Sequence, residues 1–238
     1  MRDQRVWLFD LDNTLHDASA AAFGDINRSM TAYIGRELGV SAAEADALRR
    51  RYWLRYGATL LGLVRHHGVR AHHFLHHTHL LPGLEERVRG HAHDFAAIAR
   101  LRGTKIILTN APAAYAERVL GALGVRQLFD AVIPIERMQM FGELRPKPDA
   151  RMLRRIAVRL GVAPSRCVLV EDTPGHLKAA RSVGMGTVWM QRWTRGAAAR
   201  GGPSGATRTS MTPAYVDRRV HNLRGLAAHA AHGLPASE

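Results

Sequence analysis

The stretch Val6-Trp7-Leu8-Phe9-Asp10-Leu11-Asp12-Asn13-Thr14 joins a short apolar run to two aspartates two positions apart. The run predicts a buried β-strand. Its carboxyl end, where Asp10 and Asp12 lie, is the place at which open α/β sheets bind their ligands. Unpaired buried carboxylates are costly, and a hard cation such as Mg²⁺ would compensate both. The pair also favours chemistry in which one aspartate is a nucleophile and the other exchanges a proton.

The rest of the chain alternates between strand and helix patterns. After the first strand, further strands are predicted at 105–109, 131–135, 167–170 and 187–190, with helices between them. This alternation indicates a parallel sheet that is covered by helices on both faces. We therefore predict an α/β fold with a doubly wound, Rossmann-like core.

A long helical block interrupts this core directly after the first strand. Apolar residues recur there at helical spacing, and Ser41 and Glu44 form a pattern typical of a helix start. The predicted division is a catalytic core at 1–16 and 83–192, a helical cap domain at 17–82, and a flexible basic segment and C-terminal tail at 193–238. Within this tail, four apolar residues predict a short element that packs on the core: Val216, Val220, Leu223 and Leu226.

The composition limits the partners of the protein. The formal net charge is +14 over 238 residues, which favours anionic partners such as phosphorylated metabolites or nucleic acid. The basic residues are spread along the chain, so a small phosphorylated substrate is a better prediction than nucleic acid. The single cysteine, Cys167, indicates a reducing compartment. With neither a signal-peptide pattern nor a membrane-length apolar stretch, we expect a cytoplasmic monomer or homodimer without a membrane partner.

Polar residues cluster at the ends of the predicted strands and in adjacent loops. Thr109 and Asn110 precede a helix start, where a phosphate could bind. Prolines on both sides of Lys147 restrict its backbone. Each cluster alone has a structural alternative, such as a helix cap or an ordinary loop lysine, but together they predict a site. The four clusters are Asp10/Asp12, Thr109-Asn110, Lys147 and Glu171-Asp172.

In this order and spacing the four clusters resemble the motifs of the haloacid dehalogenase-like hydrolase superfamily, over residues 5–192. The resemblance implies that Asp10 attacks phosphorus to form an aspartyl-phosphate, and that Asp12 protonates the leaving oxygen and then activates water. It implies that Thr109, Asn110 and Lys147 hold the phosphoryl group. An aspartate at position 12 is typical of the phosphatases and phosphomutases of this superfamily, whereas the dehalogenase branch lacks an acidic residue there.

The same resemblance implies that Mg²⁺ is the cofactor. Its ligands would be the Asp10 carboxylate, the backbone carbonyl of Asp12 and the Asp172 carboxylate. Glu171 would be an outer or water-mediated partner of the ion. The ion would neutralise charge that otherwise repels a carboxylate nucleophile from a phosphate.

Residues 48–63 resemble the cap of the pyrimidine 5′-nucleotidase group, which has an arginine- and tyrosine-rich helix followed by Tyr-Gly-x-Thr-Leu-x-Gly-Leu. This resemblance implies a nucleoside 5′-monophosphate substrate, with Tyr56 stacked on the base and Arg55 or Thr59 bonded to its edge or to the sugar. The alternative is that these cap residues serve packing. His16 and Ala111 depart from the pattern of the group.

The cap also contains histidines at the helical i, i+4 spacing that can chelate a metal, His72/His76 and His73/His77. Neither acidic residues nor cysteines lie near them in sequence, so a polar cap surface is the favoured interpretation.

The leading hypothesis is a Mg²⁺-dependent phosphomonoesterase that acts on a small phosphorylated metabolite, with a pyrimidine nucleoside 5′-monophosphate as the first candidate. One alternative is a phosphomutase that acts on a sugar phosphate. Another is a non-catalytic protein that binds anions or nucleic acid on a phosphatase core.

Overall fold

The computed structural model describes residues 5–193 and 211–226. Six parallel strands form one sheet in the order β3-β2-β1-β6-β7-β8, and β4 and β5 form a separate antiparallel hairpin. The strands are β1 (Val6–Phe9), β2 (Thr104–Leu108), β3 (Ala131–Ile133), β4 (Gln139–Met140), β5 (Glu143–Leu144), β6 (Cys167–Glu171), β7 (Gly186–Met190) and β8 (Arg218–Val220). The helices are α1 (Ala18–Ala21), α2 (Phe23–Leu38), α3 (Ala42–Tyr56), α4 (Thr59–His67), α5 (Ala71–Thr78), α6 (Leu84–Arg87), α7 (Ala92–Arg100), α8 (Ala113–Ala122), α9 (Ala150–Arg159) and α10 (Pro174–Ser182).

The sheet is buried on both faces, as the sequence predicts for a doubly wound core. Trp7 and Phe9 of β1 point into one apolar cluster, which includes residues of α7 and α8. Val6 and Leu8 point into a second cluster on the opposite face, which includes residues of α9 and α10. Side chains alternate along a strand, so a strand buried on both sides reads as a continuous apolar run.

Helices α2–α5 form the predicted cap, around an apolar cluster that also includes Ile135 of the core. The Ser41–Glu44 capping box at the start of α3 is present as predicted, with the Ser41 hydroxyl accepting from the Glu44 N–H. Gly62 of α4 lies against the ring of Tyr52, where a Cβ at position 62 would be 2.1 Å from the Tyr52 Cγ atom. A glycine at position 62 therefore lets α3 and α4 pack closely.

The cap touches the core next to one of the predicted site loops. Leu144 of β5 packs against the apolar cluster of the cap. Gly57 ends α3 in the left-handed region, with φ of 77°. A Cβ at position 57 would lie 3.0 Å from the Pro148 Cδ atom. The carboxyl end of α3 thus lies directly on the loop that contains Lys147.

The structure corrects one sequence prediction about the strands and bears out another about the tail. The third strand ends at Ile133 and does not reach residue 135, because Pro134 has no N–H to donate and Ile135 begins a short 3-10 helix. The short tail element predicted from Val216, Val220, Leu223 and Leu226 packs on the core as expected, since all four residues are buried, and it includes a strand, β8, that pairs with β7 in the main sheet. The rest of the predicted flexible segment, at 194–210 and 227–238, lies outside the described residues. No helix in the described ranges is long and apolar enough to cross a membrane.

Candidate active site

Two of the predicted polar clusters, Asp10/Asp12 and Glu171-Asp172, lie together at the carboxyl ends of β1 and β6. These two strands are neighbours in the sheet, and the Asp10 N–H donates to the Val170 carbonyl oxygen at 2.9 Å. Asp10 therefore leaves β1 beside Glu171, the last residue of β6. Parallel strands end at the same edge of a sheet, which is why Asp10 and Glu171, far apart in sequence, form one site.

Lys147 lies between these two carboxylates. Its Nζ atom is 2.6 Å from Asp10 Oδ1 and 2.7 Å from Glu171 Oε2. The lysine side chain is 1% exposed, and so is that of Glu171. Burial alone would lower the pKa of Lys147, but the charges of Asp10 and Glu171 outweigh it and raise that pKa. The ammonium is therefore a fixed positive charge beside Asp10.

Glu171 is ionised, and both of its carboxylate oxygens have protein partners. Burial alone would raise its pKa, but Lys147 and His176 hold the pKa well below its ordinary value. The Oε1 atom accepts the backbone N–H groups of Asp172 and Thr173 at 3.2 and 3.0 Å. Both oxygens of Glu171 thus have protein partners, and its geometry is that of a residue that fixes Lys147.

The site carries more negative charge than Lys147 compensates. Burial, and next the charge of Glu171, raise the pKa of Asp10 to about 7. Burial and the charges of Glu171 and Asp10 raise the pKa of Asp172 well above its ordinary range. One ligand oxygen from each of Asp10, Glu171 and Asp172 lies within 4.8 Å of the other two. An all-oxygen donor set with uncompensated negative charge fits a hard divalent cation such as Mg²⁺.

Asn110, from the second polar cluster, holds the backbone of Lys147 in place. Asn110 Nδ2 donates to the Lys147 carbonyl oxygen at 2.9 Å, and the Lys147 N–H donates to Asn110 Oδ1 at 3.0 Å. The amide group of Asn110 is thus used on the lysine backbone. Thr109 is buried at the end of β2, and its Oγ1 accepts the Ala111 N–H at 3.0 Å. The hydroxyl proton of Thr109 is not used in that bond.

Asp12 lies at the same edge but outside the lysine-centred cluster. The Tyr115 hydroxyl donates to Asp12 Oδ1 at 2.7 Å, and His16 Nε2 is 2.9 Å from the same oxygen. Asn13 turns the chain directly after Asp12, with φ of 56°, a conformation that asparagine tolerates better than most residues. The Thr14 hydroxyl then reaches back to Asp10 Oδ2 at 3.1 Å.

The three cap residues predicted to contact a substrate make contacts within the cap. The Thr59 hydroxyl donates to the Arg49 carbonyl oxygen at 3.0 Å. The Tyr56 hydroxyl is 2.6 Å from His66 Nε2, and the Arg55 guanidinium lies 5.5 Å from the centre of the Tyr56 ring. These contacts and the close approaches of Gly57 and Gly62 give packing reasons for the cap segment. Arg55 keeps an exposed side chain.

The structure adds three residues that the sequence interpretation did not place in the site: Thr14, His16 and Tyr115. Thr14 follows Asp10 by four positions, which is a local signal that could have identified it. His16 was noticed only as a departure from a pattern. Tyr115 lies 103 positions from Asp12, and no local pattern in the sequence connects the two residues. Long-range contacts of this kind leave no mark in a single sequence.

The chain is similar to a known protein family over most of its length. A model of the haloacid dehalogenase-like hydrolase family matches residues 5–184. The fructose-1-phosphate phosphatase YqaB of Escherichia coli K12 is 39% identical over 80 residues, which are 34% of this chain and 40% of that protein. Phosphate metabolism protein 8 of Saccharomyces cerevisiae is 25% identical over 203 residues, which are 78% of this chain and 61% of that protein.

Solved structures share the fold. The crystal structure of a HAD phosphatase from Thermococcus onnurineus covers 94% of this chain and 96% of its own, with a TM-score of 0.60 and 20% identity. The L-2-haloacid dehalogenase of Xanthobacter autotrophicus covers 94% of this chain and 97% of its own, with a TM-score of 0.57 and 18% identity. The family match extends over most of the chain and includes all four polar clusters. The chain therefore belongs to the haloacid dehalogenase-like hydrolases.

Proposed function

We propose that the protein is a Mg²⁺-dependent phosphomonoesterase that works through an aspartyl-phosphate on Asp10. The observation that carries this proposal is the arrangement at the ends of β1 and β6. A buried carboxylate lies 2.6 Å from a fixed ammonium, and two further carboxylates lie beside it. Asp12, a second carboxylate two positions later, is free of this cluster and is available for proton transfer.

The proposed reaction has two halves. An Asp10 oxygen attacks phosphorus, the bond from phosphorus to the ester oxygen breaks, and Asp12 gives its proton to the leaving oxygen. A water molecule then attacks the aspartyl-phosphate and transfers a proton to Asp12, and the bond from phosphorus to Asp10 breaks to release inorganic phosphate. Lys147 and the Thr109 hydroxyl would bind the equatorial phosphoryl oxygens, and the buried site excludes competing water.

Asp10, Asp172 and the backbone carbonyl of Asp12 would hold the metal ion, with Glu171 in support through Lys147. When bound, Mg²⁺ supplies positive charge that lets an anionic nucleophile approach an anionic phosphate. The raised pKa values of Asp10 and Asp172 support this assignment, since they reflect negative charge that a divalent cation would neutralise.

The substrate is a small phosphate monoester, for which two classes compete. The cap segment around Tyr56 and Arg55 favours a pyrimidine nucleoside 5′-monophosphate through its likeness to the nucleotidase group. The packing contacts of Thr59 weaken that argument, because its hydroxyl is already used. A sugar phosphate is favoured by the 39% identity to a fructose-1-phosphate phosphatase over 80 residues.

A substrate panel with two controls tests the proposal. Phosphate release is measured with pyrimidine nucleoside monophosphates, fructose 1-phosphate and phosphoglycolate, with Mg²⁺ and with chelator, for the wild type and for Asp10→Asn. Release that requires both Mg²⁺ and Asp10 is the expected result, and the best substrate decides between the two classes. Isomerisation of a sugar phosphate without net phosphate release would favour a phosphomutase instead. RNA binding retained by Asp10→Asn, without any turnover, would favour a binding protein.

A further inference from the structure

We propose that Tyr115 and His16 are positioning residues for Asp12. Both hydrogen-bond to the same carboxylate oxygen, Oδ1, at 2.7 and 2.9 Å. No hydrogen bond to Oδ2 of Asp12 is formed by any residue within 5–193 or 211–226. The arrangement fixes one oxygen and leaves the other for proton exchange with the leaving group and with water. This inference rests on the proposed phosphomonoesterase function.

The hydrogen-bond roles follow from the chemistry of the three groups. An ionised carboxylate only accepts hydrogen bonds, so both partners donate to Oδ1. Burial, and next the charge of Asp12, raise the pKa of Tyr115 well above its ordinary value, so the phenol keeps its proton and donates it. His16 Nδ1 is buried without a partner among the described residues. An imidazole with its proton on Nε2 therefore satisfies the bond to Asp12, and Nδ1 is a bare acceptor.

The two donors come from separate elements and are both immobilised by packing. Tyr115 is on α8, 1% exposed, and the ring of His79 packs edge-on against it with centroids 5.7 Å apart. His16 is in the loop after β1 and is fully buried. Buried side chains have already lost most of their rotamer freedom on folding, so these bonds hold Asp12 at little further entropic cost. Asp12 itself keeps 18% of its side chain exposed.

A positioned proton donor matters most when the leaving group is a poor one. An alkoxide needs a proton from Asp12 as the bond from phosphorus to oxygen breaks, whereas p-nitrophenolate is stable enough to leave with little help. Loss of one hydrogen bond to a charged group typically costs about 1.5–3 kcal/mol, which is about a ten- to hundredfold change in rate. That loss is expected in kcat/KM for alkyl phosphates, because kcat/KM here reports formation of the aspartyl-phosphate.

The test compares two substrates in three variants. We expect Tyr115→Phe and His16→Ala to lower kcat/KM about ten- to hundredfold for the best alkyl phosphate of the panel, and less than about threefold for p-nitrophenyl phosphate. His16→Gln, whose amide nitrogen can take the place of Nε2, is expected to restore most of the activity that His16→Ala loses. Far-ultraviolet circular dichroism and the unfolding midpoint of each variant identify any that fail to fold.

Tyr33→Phe is the matched control. Its hydroxyl also bonds a histidine, His73 Nδ1 at 2.7 Å, and it is also buried, but it lies in the cap. This variant is expected to keep the wild-type ratio between the two substrates. Equal losses on both substrates in Tyr115→Phe and His16→Ala would mean that the residues only support the fold, and unchanged kinetics would mean that they do not act on Asp12. A wild type inactive on both substrates would instead overturn the proposed function, and this inference with it.

Discussion

Replacing Asp10 with asparagine is expected to stabilise the protein when divalent cations are absent. Burial and the charge of Glu171 raise the pKa of Asp10 from its ordinary 3.8 to about 7. The folded chain therefore binds this proton more tightly than the unfolded chain does. Well above pH 7 the ionised carboxylate costs the folded state about 4 kcal/mol, at about 1.4 kcal/mol for each pKa unit. Asparagine has nearly the same shape and carries no charge.

The stability gain of Asp10→Asn is expected to increase with pH, because the pKa of Asp10 is raised in the folded state. Below pH 3.8 the carboxyl is protonated in both states, so the variant gains nothing from its missing charge. The gain then grows with pH and is complete above the folded pKa of about 7. The amide oxygen of the asparagine accepts a weaker hydrogen bond from Lys147. This lowers the stability gain by a roughly constant amount at every pH. The difference between two pH values is therefore the quantity to measure.

Urea unfolding in chelator, at about pH 5 and about pH 8, measures this difference. The stability gain of Asp10→Asn is expected to be about 2–3 kcal/mol larger at the higher pH. Saturating Mg²⁺ is expected to shrink the gain, because the ion binds and stabilises mainly the wild type. Asp46→Asn is the control, since hydrogen bonds from Arg49 lower the pKa of Asp46 and the substitution brings no gain. A gain that is absent at about pH 8, or equal at both pH values, would refute this electrostatic reasoning.

Three further predictions test the neighbouring residues. Lys147→Met removes the cation that the buried carboxylates of Asp10 and Glu171 share, and it is expected to lower the free energy of unfolding by about 3–5 kcal/mol at neutral pH; a loss under about 1 kcal/mol in urea unfolding would contradict the buried ion pairs. Gly57→Ala is expected to lose more stability than Gly39→Ala, because both glycines have positive φ but only position 57 also meets Pro148; equal losses in thermal unfolding would argue against the close contact between cap and core. Asp172→Asn is expected to weaken Mg²⁺ binding at least tenfold in calorimetry, and unchanged affinity would remove Asp172 from the ligand set.

Much of the core could be predicted from the sequence because its signals are local. A strand buried on both faces shows as an apolar run, and the polar residues that follow it mark the ligand edge of a parallel sheet. Asp10 and Glu171 could therefore be assigned to one site before their distance was known, whereas Lys147, in a loop that follows no strand of the main sheet, could be assigned to it only through the resemblance to the family motifs. The contacts of Lys147 with both carboxylates could not be predicted, since a loop lysine carries no sign in the sequence of the groups that it contacts.

The cap shows the opposite case, in which a family-like pattern has a packing explanation. Gly62 accommodates the ring of Tyr52, and the Thr59 hydroxyl bonds the Arg49 carbonyl oxygen. A pattern of residue types does not distinguish a side chain that reads a substrate from one that joins two helices. The strand β8 was missed as a strand for a related reason, because three residues are too few to show a period-two pattern.

The most direct test of the account is the release of inorganic phosphate from the substrate panel by the wild type and by Asp10→Asn. We expect release by the wild type in Mg²⁺, loss of release in chelator, and none from Asp10→Asn, although that variant is expected to be folded and, without metal, more stable. Release that survives in Asp10→Asn or in chelator would contradict the assignment of Asp10 as a metal-assisted nucleophile.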